Sequence, residues 1–218
     1  MVRSGEVGFG KVRFGKVRMT EHLSENKKMK KYNVKVSGCS PIIWNVMKRE
    51  LDLELKELKK NELAEWDEAN WSRKAEFDEK GNAIVPDRWL KSAMVEACKK
   101  TRIIPHYATR KNETYTYYVH SFMVNNVGEP ICKQEELESF GAFVGAQGAN
   151  SNTKVWRTRP MMKNWSATFE IVDPAGRMKK DELKSIIEYA GMFVGIGDNR
   201  VNNFGRFELD ELNEVDVK

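Results

Sequence analysis

Long apolar runs are missing from these 218 residues. No stretch approaches the roughly 20 residues that span a bilayer, and the N-terminus lacks the apolar core of a signal peptide. Cysteine is scarce. Cys39, Cys98 and Cys132 lie far apart without CxxC spacing, which excludes a disulfide framework and a zinc knuckle and points to a reducing, cytoplasmic location. Histidine is equally sparse, with His22, His106 and His120 the whole set. None belongs to a His/Cys/Asp cluster with metal-ligand spacing and no GxSxG nucleophile motif occurs, so neither a metal nor another cofactor is expected. His106, following Pro105 in a basic loop, is the one candidate general base.

Basic charge is also scarcer than the net +5 suggests. Nine of the 37 basic residues and three of the 32 acids fall within 1–31, leaving 28 and 29 for the rest. The body is therefore close to neutral. Its N-terminal arm contains a repeat, SGEVG then FGKVR twice, whose five-residue period suits neither helix nor strand. Residues 1–30 are read as a disordered basic tail, with a phosphate-touching arm as the alternative and Met19 a second candidate start. Residues 31–218 are read as one domain with an insertion at about 101–160.

What is present is a clear alternation of strand and helix. KYNVKVSG sets Tyr32, Val34 and Val36 against Asn33, Lys35 and Ser37, a half-buried strand. From Trp44 to about Trp71 the spacing of Leu51, Leu55, Leu58 and Leu63 is helical, and its acids predict a solvated face turned from any polyanion. AEF and AIV flank a DEKGN turn as a hairpin. Pro86 and Asp87 open a helix with Leu90, Met94, Val95 and Cys98 inward, where Cys98 is a small core residue. TYTYYVHSFMV is strand-like, with His120 alternating with Tyr118 and Phe122. GAFVGAQGANSN, residues 141–152, reads as a mobile loop. WSATFEIV is a strand, KKDELKSIIEYAG a helix capped by Gly191, and FVGIG and GRFEL two further strands.

Two windows in this neutral body hold no acid. One lies between Glu96 and Glu113 and carries Lys99, Lys100, Arg102, Arg110 and Lys111. The other lies between Glu138 and Glu170 and carries Lys154, Arg157, Arg159 and Lys163, interleaved with Trp156 and Trp165. Exposed cations beside exposed rings suit a single strand, because the cations neutralise phosphates while the rings stack on any base.

The stretch GMFVGIGDNRVNNFGRFEL is the third feature. It is not GxGxxG, since Arg200 occupies the third glycine position, and no P-loop GK[ST] follows. Gly195 and Gly197 flank Ile196 and are expected to leave bare backbone on one face, with Arg200, Gly205 and Arg206 close by. On that reading Gly197→Ala weakens binding and spares the fold.

Val194-Gly195-Ile196-Gly197, the polar Asp198 to Asn203, and Phe204-Gly205-Arg206-Phe207 resemble the glycine-rich loop of the RAMP superfamily, the RNA-binding proteins of CRISPR systems. GNAIVPDRWLKSAM, with Pro86, Leu90 and Lys91, and VKVSGCSPIIW resemble elements of the backbone subunits of CRISPR effector complexes. The resemblance touches 32–48, 81–100 and 165–209. It implies an α+β fold, a ferredoxin-like or RRM-like antiparallel sheet with helices on one face and a β-rich insertion. It also implies a protein that lines up along single-stranded RNA, through self-association or beside other effector subunits and away from membranes. A phage-type replication or recombination factor binding single-stranded DNA fits the same residues. Some such subunits cut RNA with an aspartate, but none of Glu65, Asp67, Glu68 or Asp78 matches that position, so a non-catalytic binder is expected. A His106-dependent RNA endonuclease and a protein-interaction module remain the alternatives.

Overall fold

A computed structural model of the chain describes residues 28–59, 62–100, 119–128, 130–145 and 154–215. Residues 1–27 of the tail, the first basic window beyond Lys100, His106 and residues 146–153 lie outside them, while Lys30, assigned to the tail, begins the first strand. Among the described residues no helix is long and apolar enough to cross a membrane.

The alternating strand at the start is β1, Lys30–Gly38. Its Tyr32, Val34 and Val36 are fully buried. It sits inside a four-stranded antiparallel sheet with β5 (Met123–Asn126), β9 (Ser166–Asp173) and β10 (Phe207–Val215), in the order β10-β1-β9-β5. Helix α3, Asp87–Lys100, connects β1 towards β5, and α4, Lys180–Tyr189, connects β9 to β10. Each half is thus a split βαβ unit, the ferredoxin-like arrangement. Leu90, Ala93, Met94 and Ala97 of α3 meet Leu183, Ile186 and Ile187 of α4 over Phe169, Ile171 and Phe207 in one core. Burial pushes the Cys98 thiol up to about 11, as suits a core residue.

Two excursions leave this frame. The first, between β1 and α3, contains β2 (Ile42–Ile43), α1 (Arg49–Glu57), α2 (Leu63–Asn70), a 3-10 turn (Trp71–Lys74), β3 (Glu76–Phe77) and β4 (Asn82–Ile84). The second, between β5 and β9, contains β6 (Cys132–Lys133), β7 (Glu138–Gly145) and β8 (Lys154–Met162). β7 and β8 form a ribbon to which β2 adds a short third strand, while β3, β4 and β6 make a third small sheet.

Several expectations change here. The expected insertion at 101–160 contains β5, a strand of the main sheet, and a separate excursion precedes α3. The single helix over 44–71 is two, because Trp44 stays extended and buried and gives its indole N–H to the Ile84 carbonyl at 2.9 Å. Its acids are not all solvated, since Asp67 is buried. His120 lies in a helical turn and not in a strand. Residues 141–145 of the expected loop belong to β7. FVGIG is not a strand: α4 passes into a π-helical turn over Ala190–Val194, and Gly195, not Gly191, ends it at φ 76°, donating to the Ala190 carbonyl at 2.7 Å. The alternation V-G-I-G copies strand periodicity, but alternate positions are glycines in the left-handed region, which breaks a strand.

Candidate nucleic-acid interface

The loop between α4 and β10 has five residues with positive φ: Gly195, Gly197, Asn199, Asn203 and Gly205. Glycine and asparagine tolerate that region best, so the composition dictates a tightly folded loop. Its own backbone closes it, with the Ile196 N–H on the Gly205 carbonyl at 2.9 Å. The segment after β1 then staples it down. Asp198 N–H donates to the Ile43 carbonyl at 2.9 Å, Gly205 N–H to Pro41 at 2.8 Å, and Cys39 N–H to Arg206 at 2.8 Å. Ser40 Oγ donates to the Asn203 carbonyl at 2.7 Å and accepts from Arg206 N–H at 2.9 Å.

The glycines face the protein. A Cβ on Gly205 would lie 1.7 Å from the Ile196 oxygen, one on Gly197 2.7 Å from the Ile43 oxygen, and one on Gly195 2.9 Å from the Phe204 oxygen. The bare backbone expected to receive a ligand is therefore occupied by neighbouring backbone, and the tolerance expected of Gly197→Ala is reversed. The glycines build the loop, and its side chains carry any contact with a ligand.

Those side chains open onto a cleft of about 490 Å³ between the C-terminal half of α3, the β7–β8 ribbon and the loop. Lys100, Arg159, Arg200 and Arg206 line it, together with Gly197, Val144, Phe193 and Val201. Three stretches far apart in sequence thus deliver four cations to one place. Two acids that sequence reading missed sit among them. Glu96, one helical turn before Lys100, bonds Lys100 at 2.6 Å and Arg200 at 3.0 Å. Lys100's hydrogen bond first, then the charge of Arg200, hold the Glu96 carboxyl below its ordinary range against partial burial. Asp198 Oδ2 lies 3.1 Å from Arg159 Nε, close enough for an ion pair but without the alignment of a hydrogen bond. Arg206 differs from the rest. Its Nη2 reaches the Arg200 carbonyl at 3.2 Å and Asn203 Oδ1 at 3.3 Å, whereas Nη1 is buried without a hydrogen-bond partner among the described residues. A buried unsatisfied guanidinium nitrogen is costly, and an anion oxygen satisfies it best.

The second basic window is dispersed by the pleat of its strand. Successive residues of β8 point to opposite faces, so Arg157 and Arg159 share one face with Val144 and Phe140, while Trp156 shares the other with Phe143. Trp156 and Phe143 stack edge-on at 5.0 Å and are 40% and 66% exposed. Trp156 is therefore separated from Arg157 and Arg159, and of the β8 cations only Lys154 shares its face. Trp165 is only 5% exposed; its indole fills the space above Gly38 and donates to the Ser40 carbonyl at 2.8 Å. It offers no stacking platform. Nor are both arginines exposed as expected: Arg157 leans on Asp67 at 3.3 Å, and the Arg159 side chain is 11% exposed. Lys163 pairs with Glu138 at 2.7 Å, past the opposite end of β8 from Lys154. Lys99 and Lys154 are exposed outside the cleft lining. Arg102, Arg110 and Lys111 lie outside the described residues.

The open face of the main sheet offers no alternative. Register places Asn33 and Lys35 of β1 beside Asn213 and Glu211 of β10 and Glu170 and Thr168 of β9, with Asn125 beyond. No aromatic stands among these, and acids outnumber bases at the β10 edge, where Glu208, Asp210, Glu211 and Glu214 are all exposed. Of the acids considered for cutting, Asp67 is buried in ion pairs. Asp78 is occupied by the amides of Lys80 and Asn82, and hydrogen bonds from Asn82 chiefly hold its carboxyl low. Among the described residues no group of three or more His, Cys, Asp or Glu is placed to hold a metal.

Fold and cleft together define a ferredoxin-like α+β protein with a glycine-built loop closing a basic groove. Among solved structures the chain is similar to the type III-B Cmr-beta bound to cognate target RNA, at TM-score 0.49 and 11% identity, over 86% of this chain and 61% of that one. It thus spans about three fifths of that chain's length. It is similar as well to Cmr6 from Pyrococcus furiosus, at TM-score 0.43 and 8% identity, over 86% of this chain and all of the other. At these identities the likeness is one of fold alone. The sequence matches no protein-family model and no curated protein.

Proposed function

We propose that the protein is a non-catalytic binder of single-stranded nucleic acid whose sugar–phosphate backbone passes through the cleft beside the glycine-built loop. The observation that carries this reading is the convergence of Lys100, Arg159, Arg200 and Arg206 on one cleft, with Arg206 Nη1 left without a hydrogen-bond partner among the described residues. The ion pairs around it are only partly exposed to solvent and individually weak, so phosphates exchange for Glu96 or Asp198 at little cost. The RAMP resemblance of the loop favours RNA over DNA and supports a place beside other copies or other subunits of an effector complex. No nucleophile or base is assigned to the cleft, and turnover is not part of the reading.

The test is a titration of single-stranded RNA, single-stranded DNA and duplex at two salt concentrations, with strand integrity followed in the same samples. Tight, salt-sensitive binding of intact single strands is expected. Duplex preference, salt-insensitive binding or cut RNA overturns the reading.

A further inference from the structure

A fully buried ion pair lies outside the cleft. Asp67 of α2 and Lys74, ending the 3-10 turn, have side chains 1% and 5% exposed and meet at 2.5 Å. Burial of such a pair is costly unless further hydrogen bonds complete it. Here both are completed by a single residue of the ribbon. Thr158 N–H donates to Asp67 Oδ2 at 2.7 Å, and Lys74 Nζ donates to the Thr158 carbonyl at 2.7 Å.

That geometry has a specific meaning for β8. Its outer edge pairs with β2 only at Met161 and Met162, and Trp44 N–H takes the Pro160 carbonyl at 3.0 Å. Beyond that point no described strand covers the edge. At Thr158 one carboxylate and one ammonium stand in for the missing strand, supplying an acceptor and a donor. The carriers are themselves fixed. Glu54 of α1 receives Arg73 in a two-pronged pair at 2.7 and 2.9 Å and the Trp66 indole at 3.1 Å, while Val46 N–H takes the Lys74 carbonyl at 2.9 Å. Arg159 lies between the two anchors, at Pro160 and Thr158, and aims into the cleft.

We infer that Asp67 and Lys74 are positioning residues for nucleic-acid binding: they clamp β8 at Thr158 and so fix Arg159 and the ribbon wall against the glycine-built loop. This rests on the cleft being the binding site. Arg157, the half-buried third member, trims the charge of Asp67 through a contact at 3.3 Å.

The experiment compares Lys74→Met, the milder Asp67→Asn and Arg159→Ala, alone and combined, in the full chain well below each melting temperature. Single-strand RNA affinity and backbone hydrogen exchange are the two readouts. Lys74→Met is expected to weaken binding about tenfold, and Arg159→Ala to cost much less in that background than in the unaltered protein, because coupled residues lose energy non-additively. Exchange should quicken at Thr158 and its β7 partners while β1 and β9 stay protected. Unchanged affinity in Lys74→Met and Asp67→Asn, or fully additive losses, overturns the inference while leaving the cleft reading intact. If the unaltered protein binds no strand, the cleft reading fails first, and exchange decides the clamp: local quickening upholds ribbon positioning, and a uniform change refutes it.

Discussion

The cleft has two walls built on opposite principles. The glycine-built loop is held by backbone: five residues at positive φ and amide–carbonyl bonds to residues 39–43. The β7–β8 ribbon is held by side chains, through a buried Asp67–Lys74 pair at a single residue. A wall made of backbone tolerates changes of side-chain chemistry but no added volume. A wall made of charge tolerates volume but no loss of charge. Both present arginines to the same space, so binding depends on two differently built supports that meet at Ile43.

The largest expected effect breaks the ribbon wall. Asp67→Ala strands Lys74 in the interior and should lower stability by about 3–5 kcal/mol, read by urea unfolding. Asp67→Asn sharpens the point through pH. Burial already lowers the Lys74 pKa, and Asp67 is what opposes it. Without that opposition the folded state binds fewer protons than the unfolded one. Stability of Asp67→Asn should therefore rise with pH, from the lowered Lys74 value up to the ordinary lysine value of about 10.4. A flat profile would contradict the assignment.

The loop wall comes next. Gly205→Ala should cost at least about 2 kcal/mol, since left-handed φ and a backbone clash add together. Gly81, at φ 81° with nothing within 4 Å of where a Cβ would stand, isolates the conformational part, and Gly81→Ala should cost about 1 kcal/mol. Equal melting shifts for the two would show that the loop is not packed as described. Deleting residues 1–18 is the smallest change. Melting should be unaltered and affinity should fall modestly, because Arg3, Lys11, Arg13, Lys16 and Arg18 are lost; a large drop in melting temperature would place the tail on the body.

The two walls also differ in how far the sequence discloses them. Tyr32, Val34 and Val36, or Leu183, Ile186 and Ile187, announce their faces by period alone, and the frame of β1, α3, β9, α4 and β10 follows. Glycine and asparagine at 195–205 announce a loop of positive φ, although V-G-I-G imitates a strand. Nothing local marks Asp67 among the acids of its helix, because its role is set by Lys74, seven residues on, and by Thr158, which arrives 91 residues later. Trp165 looks like a stacking ring until Gly38 is seen to make room for it. The separation of Trp156 from Arg157 and Arg159 follows from a period of two, and counting bases along the chain instead of along the pleat conceals it. Glu96 and Arg200 meet only once α3 and the loop are folded together.

The most direct test is the salt dependence of single-strand RNA binding by the unaltered protein and by Arg206→Ala. If the cleft grips the phosphate backbone, affinity falls steeply with salt, and Arg206→Ala reduces the log–log slope by about 0.7, one phosphate contact, with melting nearly unchanged. An identical slope and affinity in the folded variant would contradict the claim that nucleic acid occupies the cleft.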